Sequence, residues 1–251
     1  MLLPGGVLPA AVAYPALIAA LGDQVDAVAK ELEVYAGDAP PRDYSLDTEV
    51  AGIRRTADES GFDRFHLVGY SAGGASSLAF ASHYPERLLS LALIEPAWAG
   101  NRGQRPEEQA LWREFDRIMQ LPPAELMAEF VRLQLRPGIA LPPPPQGPPP
   151  PWMAQRPAGL AAFVRAFKAY ELDERALHSF TQPVYYGMGG LSNPNYYAKQ
   201  AARLATIFPT FSVDVYEQRH HFDPPHRAEP QRVAAALSHL WATADARTLR
   251  I

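Results

Sequence analysis

Among its 251 residues the chain has no cysteine. That absence removes disulfides, thiolate metal sites and a cysteine nucleophile together. Long apolar runs are also missing: none approaches the ~20 residues that cross a bilayer. The apolar start, "MLLPGGVLPAAVAYPALIAAL", lacks the basic segment of a secretory signal, and Pro4, Pro9 and Pro15 interrupt it. There is no Lys/Arg-rich run, and a formal net charge of −4 argues against a nucleic-acid partner. No histidine pair stands at i, i+4 with a third ligand, so no metal is expected. "GYSAGG" has neither the lysine of a phosphate loop nor G-x-G-x-x-G spacing, and no cofactor is expected. These exclusions leave a protein expected in the cytoplasm, off the membrane, whose partner is a small molecule.

What is present is enough for a core: 47% of residues are apolar and 20% charged. Proline is in excess, with 26 residues, about twice the usual ~5%. Much of it lies in "RPGIALPPPPQGPPPPW", which can enter neither a helix nor a central strand because proline lacks the N–H and fixes φ. A stiff, polyproline-like connector is expected there.

Short apolar runs alternate with helical patterns on both sides of this stretch. Strands are expected at Met1–Leu3, Val25–Leu32, Arg64–Val68, Leu88–Ile94, Val184–Tyr186 and Phe211–Tyr216. Leu88–Ile94 is apolar throughout apart from one serine, as a parallel strand buried on both faces would be. Helices are expected after Tyr14, Ser45, Ser71 and Pro230, and over Tyr197–Phe208. Residues 99–180 hold three helical patterns (106–120, 124–135 and 158–170) and no strand. The alternation predicts an α/β fold: a mostly parallel sheet of about six strands with helices on both faces. The core falls at 1–98 and 181–251, and 99–180 forms a helical cap carrying the proline-rich connector.

One pentapeptide in this frame carries chemistry. Gly69-Tyr70-Ser71-Ala72-Gly73 is G-x-S-x-G, placed between an apolar strand and a helix. Such a turn is too sharp for side chains two residues either side of the serine, and it projects the hydroxyl above the sheet edge. The helix that follows aims its N–H groups and dipole at the same point. Ser71 is therefore read as a nucleophile, and the backbone N–H of Ala72 as one oxyanion donor.

With this motif the chain resembles the α/β-hydrolase fold family. "LLPGG" is similar to its oxyanion loop, "HLVGYSAGG" to its elbow, "YPERLLSLALIEPA" to the next helix end and strand, and "YEQRHHFDPPHRAEPQRVAAAL" to its histidine loop and last helix. The family has two strands ahead of that oxyanion loop, which here begins at residue 3; six parallel strands are expected to remain. The resemblance implies Gly6 N–H as the second oxyanion donor, with Val7 as the alternative. It implies His221 as the base, with His220 as the alternative, while His226 orders the loop. The family's usual aspartate after the strand "VYYG" has no counterpart in "GMGGLSNPNYY". Some members, haloalkane dehalogenases among them, carry the acid one strand earlier, which implies Glu95; Asn193 is the uncharged alternative. The implied activity is that of a serine hydrolase acting on a small or medium apolar ester, thioester or related carbonyl compound. Two alternatives stand beside it: a catalytically weak small-molecule binder or sensor on the same scaffold, and a C–C hydrolase or lyase with the same triad.

Overall fold

The computed structural model describes residues 1–98, 106–140 and 147–248. Residues 99–105 of the expected cap and 141–146 of the proline-rich connector lie outside the described residues. Five strands form one parallel sheet in the order β1-β2-β3-β4-β5: β1 Leu2–Leu3, β2 Phe65–Tyr70, β3 Leu88–Ile94, β4 Val184–Gly189 and β5 Phe211–Tyr216. The register places Leu2 opposite Val68, Val68 opposite Ala92, Leu91 opposite Val184, and Val184 opposite Phe211. Because all strands run the same way, their carboxyl ends share one edge, where open α/β sheets bind ligands.

The sixth expected strand, Val25–Leu32, is reduced to a single bridge. Leu2 N–H donates to Val28 O (2.8 Å) and Lys30 N–H to Leu2 O (2.9 Å), pairing Ala29 with Leu2. The reason lies in β1, which is two residues long and stops at Pro4, so it offers no longer template.

Before β2 come α1 (Ala10–Ala13), α2 (Pro15–Leu21) and α3 (Leu46–Glu59). Ser45 caps α3 in a reciprocal box with Thr48, satisfying donors that the first turn would otherwise leave open. Between β2 and β3 runs α4 (Ala72–His83). Then α5 (Pro106–Ile118), α6 (Pro123–Gln134), α7 (Arg156–Ala169) and α8 (Glu174–His178) separate β3 from β4. Last come α9 (Tyr197–Ile207), α10 (Pro225–Ala228) and α11 (Pro230–Thr248).

Alternation along the strands divides the core in two. Leu91 and Leu93 face a cluster with α3, α4 and α9, while Ala92 and Ile94 face one with α2 and α11. Trp112, Phe115, Phe163 and Phe167, from the helices between β3 and β4, are buried in the first cluster. Those helices thus share the main core and lie beside the carboxyl edge.

Candidate active site

The turn from β2 into α4 holds Ser71 at φ 52°, ψ −117°, a conformation disfavoured for a residue with a side chain. Its carbonyl accepts from Gly74 and Ala75 of the helix and from Ala97 beyond β3, and its N–H donates to Ile94 O. The surrounding glycines are steric necessities. A Cβ on Gly69 would stand 2.3 Å from Ser77 Oγ and 2.5 Å from Gly73 O; one on Gly73 would stand 2.5 Å from Pro4 O. One residue past β3, Glu95 also has a positive φ, 43°. Among the described residues, these two are the non-glycine residues with positive φ, and they sit at adjacent strand ends.

Ser71, His221 and Glu95 are brought into one chain of contacts. Ser71 Oγ lies 3.0 Å from His221 Nε2, and His221 Nδ1 lies 3.1 Å from Glu95 Oε2. Glu95 is fully buried, and its other oxygen accepts from Gly189 N–H at 2.8 Å. An ionised carboxylate only accepts, so it holds the proton on Nδ1 and leaves Nε2 as the acceptor facing the serine. The imidazole is 2% exposed. Tyr197 stacks on it at 4.9 Å and 17°, and the Tyr70 ring lies 5.0 Å away. Tyr70 O–H donates to His221 O, and Tyr197 O–H donates to Gln134 Oε1 of α6 at 2.8 Å.

Two alternatives do other work. His220 Nδ1 accepts from Phe222 N–H (3.2 Å) and Asp223 N–H (3.0 Å), so its ring closes its own turn and is not the group beside Ser71. Asn193 does not orient the imidazole: its Nδ2 donates to Leu133 O and its Oδ1 accepts from Asn195 N–H, bracing α6 against the β4–α9 loop. His226 is fully buried between the Tyr14 and Tyr70 rings with neither ring nitrogen hydrogen-bonded, so it fixes the loop by packing alone. Burial, helped by the Arg227 charge, lowers its pKa from 6.5 to about 3.

The loop after β1 faces the serine. A Cβ on Gly5 would stand 2.7 Å from the Tyr70 ring and 3.1 Å from Ser71 Cβ, so only glycine permits this approach. Among the described residues, the N–H groups of Gly6, Val7 and Ala72 have no hydrogen-bond partner. Tyr35, which the sequence does not single out, donates its O–H to Gly6 O at 2.6 Å. A cavity of about 190 Å³ opens over these groups, its floor made by Gly5, Gly6, Ser71, Ala72 and His221. Its walls are Trp112, Phe115, Phe130, Leu160 and Phe163 from the helices between β3 and β4. Among the described residues, no group of three His, Asp or Glu stands close enough to hold a metal ion, and no helix is long and apolar enough to cross a membrane.

Known proteins share the fold of this chain. The sequence profile of the alpha/beta hydrolase fold matches residues 34–158. A stretch of 82 residues is 33% identical to the dihydrolipoyllysine-residue acetyltransferase component of the acetoin cleaving system of Cupriavidus necator, covering 32% of this chain and 22% of that protein. A stretch of 48 residues is 46% identical to the 2-hydroxy-6-oxo-6-phenylhexa-2,4-dienoate hydrolase of Comamonas testosteroni, covering 19% of this chain and 17% of that one. The matches span about a fifth of these curated relatives' length. A thermophilic esterase from Thermogutta terrifontis superposes with a TM-score of 0.64 over 97% of this chain and 89% of its own, at 16% identity. The chain has the α/β-hydrolase fold.

Proposed function

We propose that the protein is a serine hydrolase that cleaves a small or medium apolar ester or thioester through an acyl-enzyme. The observation that carries this reading is the unbroken line Ser71 Oγ, His221 Nε2, His221 Nδ1, Glu95 Oε2, with contacts of 3.0 and 3.1 Å. Ser71 Oγ attacks the substrate carbonyl carbon as its proton passes to His221 Nε2. The N–H groups of Ala72 and Gly6 hold the oxygen on which charge develops. The imidazolium, stabilised by Glu95, returns the proton to the leaving alkoxide or thiolate as the bond to it breaks. Water then attacks the acyl carbon, His221 takes its proton, and the carboxylic acid leaves with Ser71 restored.

Residues 99–180 act as the cap in this reading, and the aromatic walls they supply select for apolar acyl groups. A cavity of about 190 Å³ lies below the ~300–1,000 Å³ of sites for drug-sized ligands, favouring acyl chains of a few carbons. The same triad could serve C–C bond hydrolysis, and a substrate panel that includes the 2-hydroxy-6-oxo-6-phenylhexa-2,4-dienoate of the Comamonas relative's name separates the two reactions.

A fluorophosphonate probe is expected to give one covalent adduct per chain, mapped by mass spectrometry to Ser71. Ser71→Ala is expected to lose both the adduct and p-nitrophenyl ester turnover. A chain that binds apolar acids but takes no label would instead be a binder on the same scaffold.

A further inference from the structure

The oxyanion loop contains two consecutive glycines, Gly5-Gly6, the most conformationally free pair a chain can carry. An oxyanion hole acts only when its donors are fixed before the charge appears. Something outside the loop must therefore hold it. Tyr70 blocks one side, leaving the orientation of the following peptide to be set. The Gly6 carbonyl accepts the Tyr35 hydroxyl at 2.6 Å. A planar trans peptide joins the Gly6 carbonyl to the Val7 N–H, so this bond fixes the Gly6–Val7 unit directly, and by anchoring the Gly6 Cα it limits where the Gly6 N–H of the preceding unit can lie.

Tyr35 is itself held by α7. Arg156, Gly159, Leu160 and Phe163 fall at i, i+3, i+4 and i+7, one face of that helix. The Arg156 guanidinium lies 3.7 Å over the Tyr35 ring, and Phe163 meets the ring edge-on at 6.0 Å. A Cβ on Gly159 would stand 2.1 Å from the ring, so α7 approaches at backbone distance. The same face reaches the loop, with Leu160 and Phe163 each 3.2 Å from where a Gly6 Cβ would be. Burial raises the Tyr35 pKa to about 12, which keeps the hydroxyl a donor.

We propose that Tyr35 is a positioning residue for the oxyanion hole: its hydroxyl pins the carbonyl side of Gly6, the residue whose N–H is the donor, and the Arg156–Phe163 face of α7 sets its ring. The proposal rests on the serine-hydrolase reading and adds that the helices over the site tune the reaction through this phenol.

Tyr35→Phe keeps the ring and removes only the bond. With p-nitrophenyl acetate, kcat is expected to fall roughly 10–100-fold, less than the ~10²–10³ for deleting a donor outright. KM is expected to stay within about twofold, the signature of an interaction made in the transition state. The inhibition constant of phenylboronic acid, whose adduct places an oxygen in the hole, is expected to rise by the same factor as kcat falls. Gly159→Ala, which displaces the ring and keeps the hydroxyl, is expected to show the same pattern and serves if Tyr35→Phe does not fold. Unchanged kcat with a lower Tm, or unchanged boronate affinity, overturns the proposal. If the native chain takes no fluorophosphonate label, the hydrolase reading fails by itself. Amide exchange of residues 5–8 then decides this one: at least about tenfold faster in Tyr35→Phe sustains the clamp, and no change removes it.

Discussion

Glu95→Gln is expected to lower kcat roughly 10³–10⁴-fold while leaving the fold intact. The substitution conserves volume at a fully buried site, and the amide oxygen can still accept Gly189 N–H. The amide nitrogen, however, faces His221 Nδ1 as a donor. Nδ1 must then become the acceptor, the proton moves to Nε2, and the imidazole presents N–H to Ser71 where it needs a lone pair. An uncharged side chain also cannot stabilise the imidazolium that forms as the serine attacks. Steady-state kinetics with p-nitrophenyl butyrate, alongside circular dichroism and thermal melting, checks this. Native-like turnover in a folded Glu95→Gln would show that another group orients His221.

The second large effect is on stability in acid. His226 is wholly buried, and its pKa falls from 6.5 to about 3, first through burial and then through the Arg227 and His221 charges. Below pH 6.5 the unfolded chain takes up a proton here that the folded chain refuses. Stability therefore rises with pH across this window and is lost as pH falls from 6.5 toward 3. Between pH 7.5 and pH 5 this one ring is expected to cost about 2 kcal/mol, at ~1.4 kcal/mol per pH unit. His66, lowered to about 4 by burial, acts with the same sign. His226→Phe keeps an aromatic ring between Tyr14 and Tyr70 and does not titrate. Urea unfolding at the two pH values is expected to show a loss about 2 kcal/mol smaller in His226→Phe than in the native chain. Equal losses would show that His226 contributes nothing to acid sensitivity.

Much of this was legible in the sequence, for local reasons. The elbow is legible because its geometry forbids a Cβ at Gly69 and Gly73, which is visible as residue identity. The three residues that meet at the site are each legible as well: Ser71 from the elbow, and His221 and Glu95 from where the family resemblance implies the base and the acid. No carboxylate stands between β4 and α9, and the Gly189 N–H that ends β4 serves Glu95. The count of six strands was too high because the partner of Val25–Leu32 ends after two residues, a property of β1 and not of that segment. Tyr35 and Tyr197 carry no local signal. Tyr35 lies in a one-turn 3₁₀ segment, Glu33–Tyr35, and its value comes from a carbonyl 29 residues away. Tyr197 opens a helix whose pattern explains its burial without pointing to the imidazole it covers. The buried Arg156 reads in sequence as an ordinary basic residue, and only the Tyr35 and Trp152 rings around it explain its position.

With the proposed acid one residue past β3, the segment after β4 has no part in the proposed proton transfer. That segment is spent on anchorage: Arg136 N–H donates to Leu191 O, Asn193 N–H to Gln134 O, and Asn193 Nδ2 to Leu133 O. The proposed nucleophile and acid thereby come from one compact stretch, residues 65–95, whereas the seam at 191–195 is bonded to α6 and the residues just after it. Natural variation or a laboratory graft at that seam can reshape what the cap admits while the proton relay beneath keeps its parts. Recognition and chemistry are separately editable in this architecture.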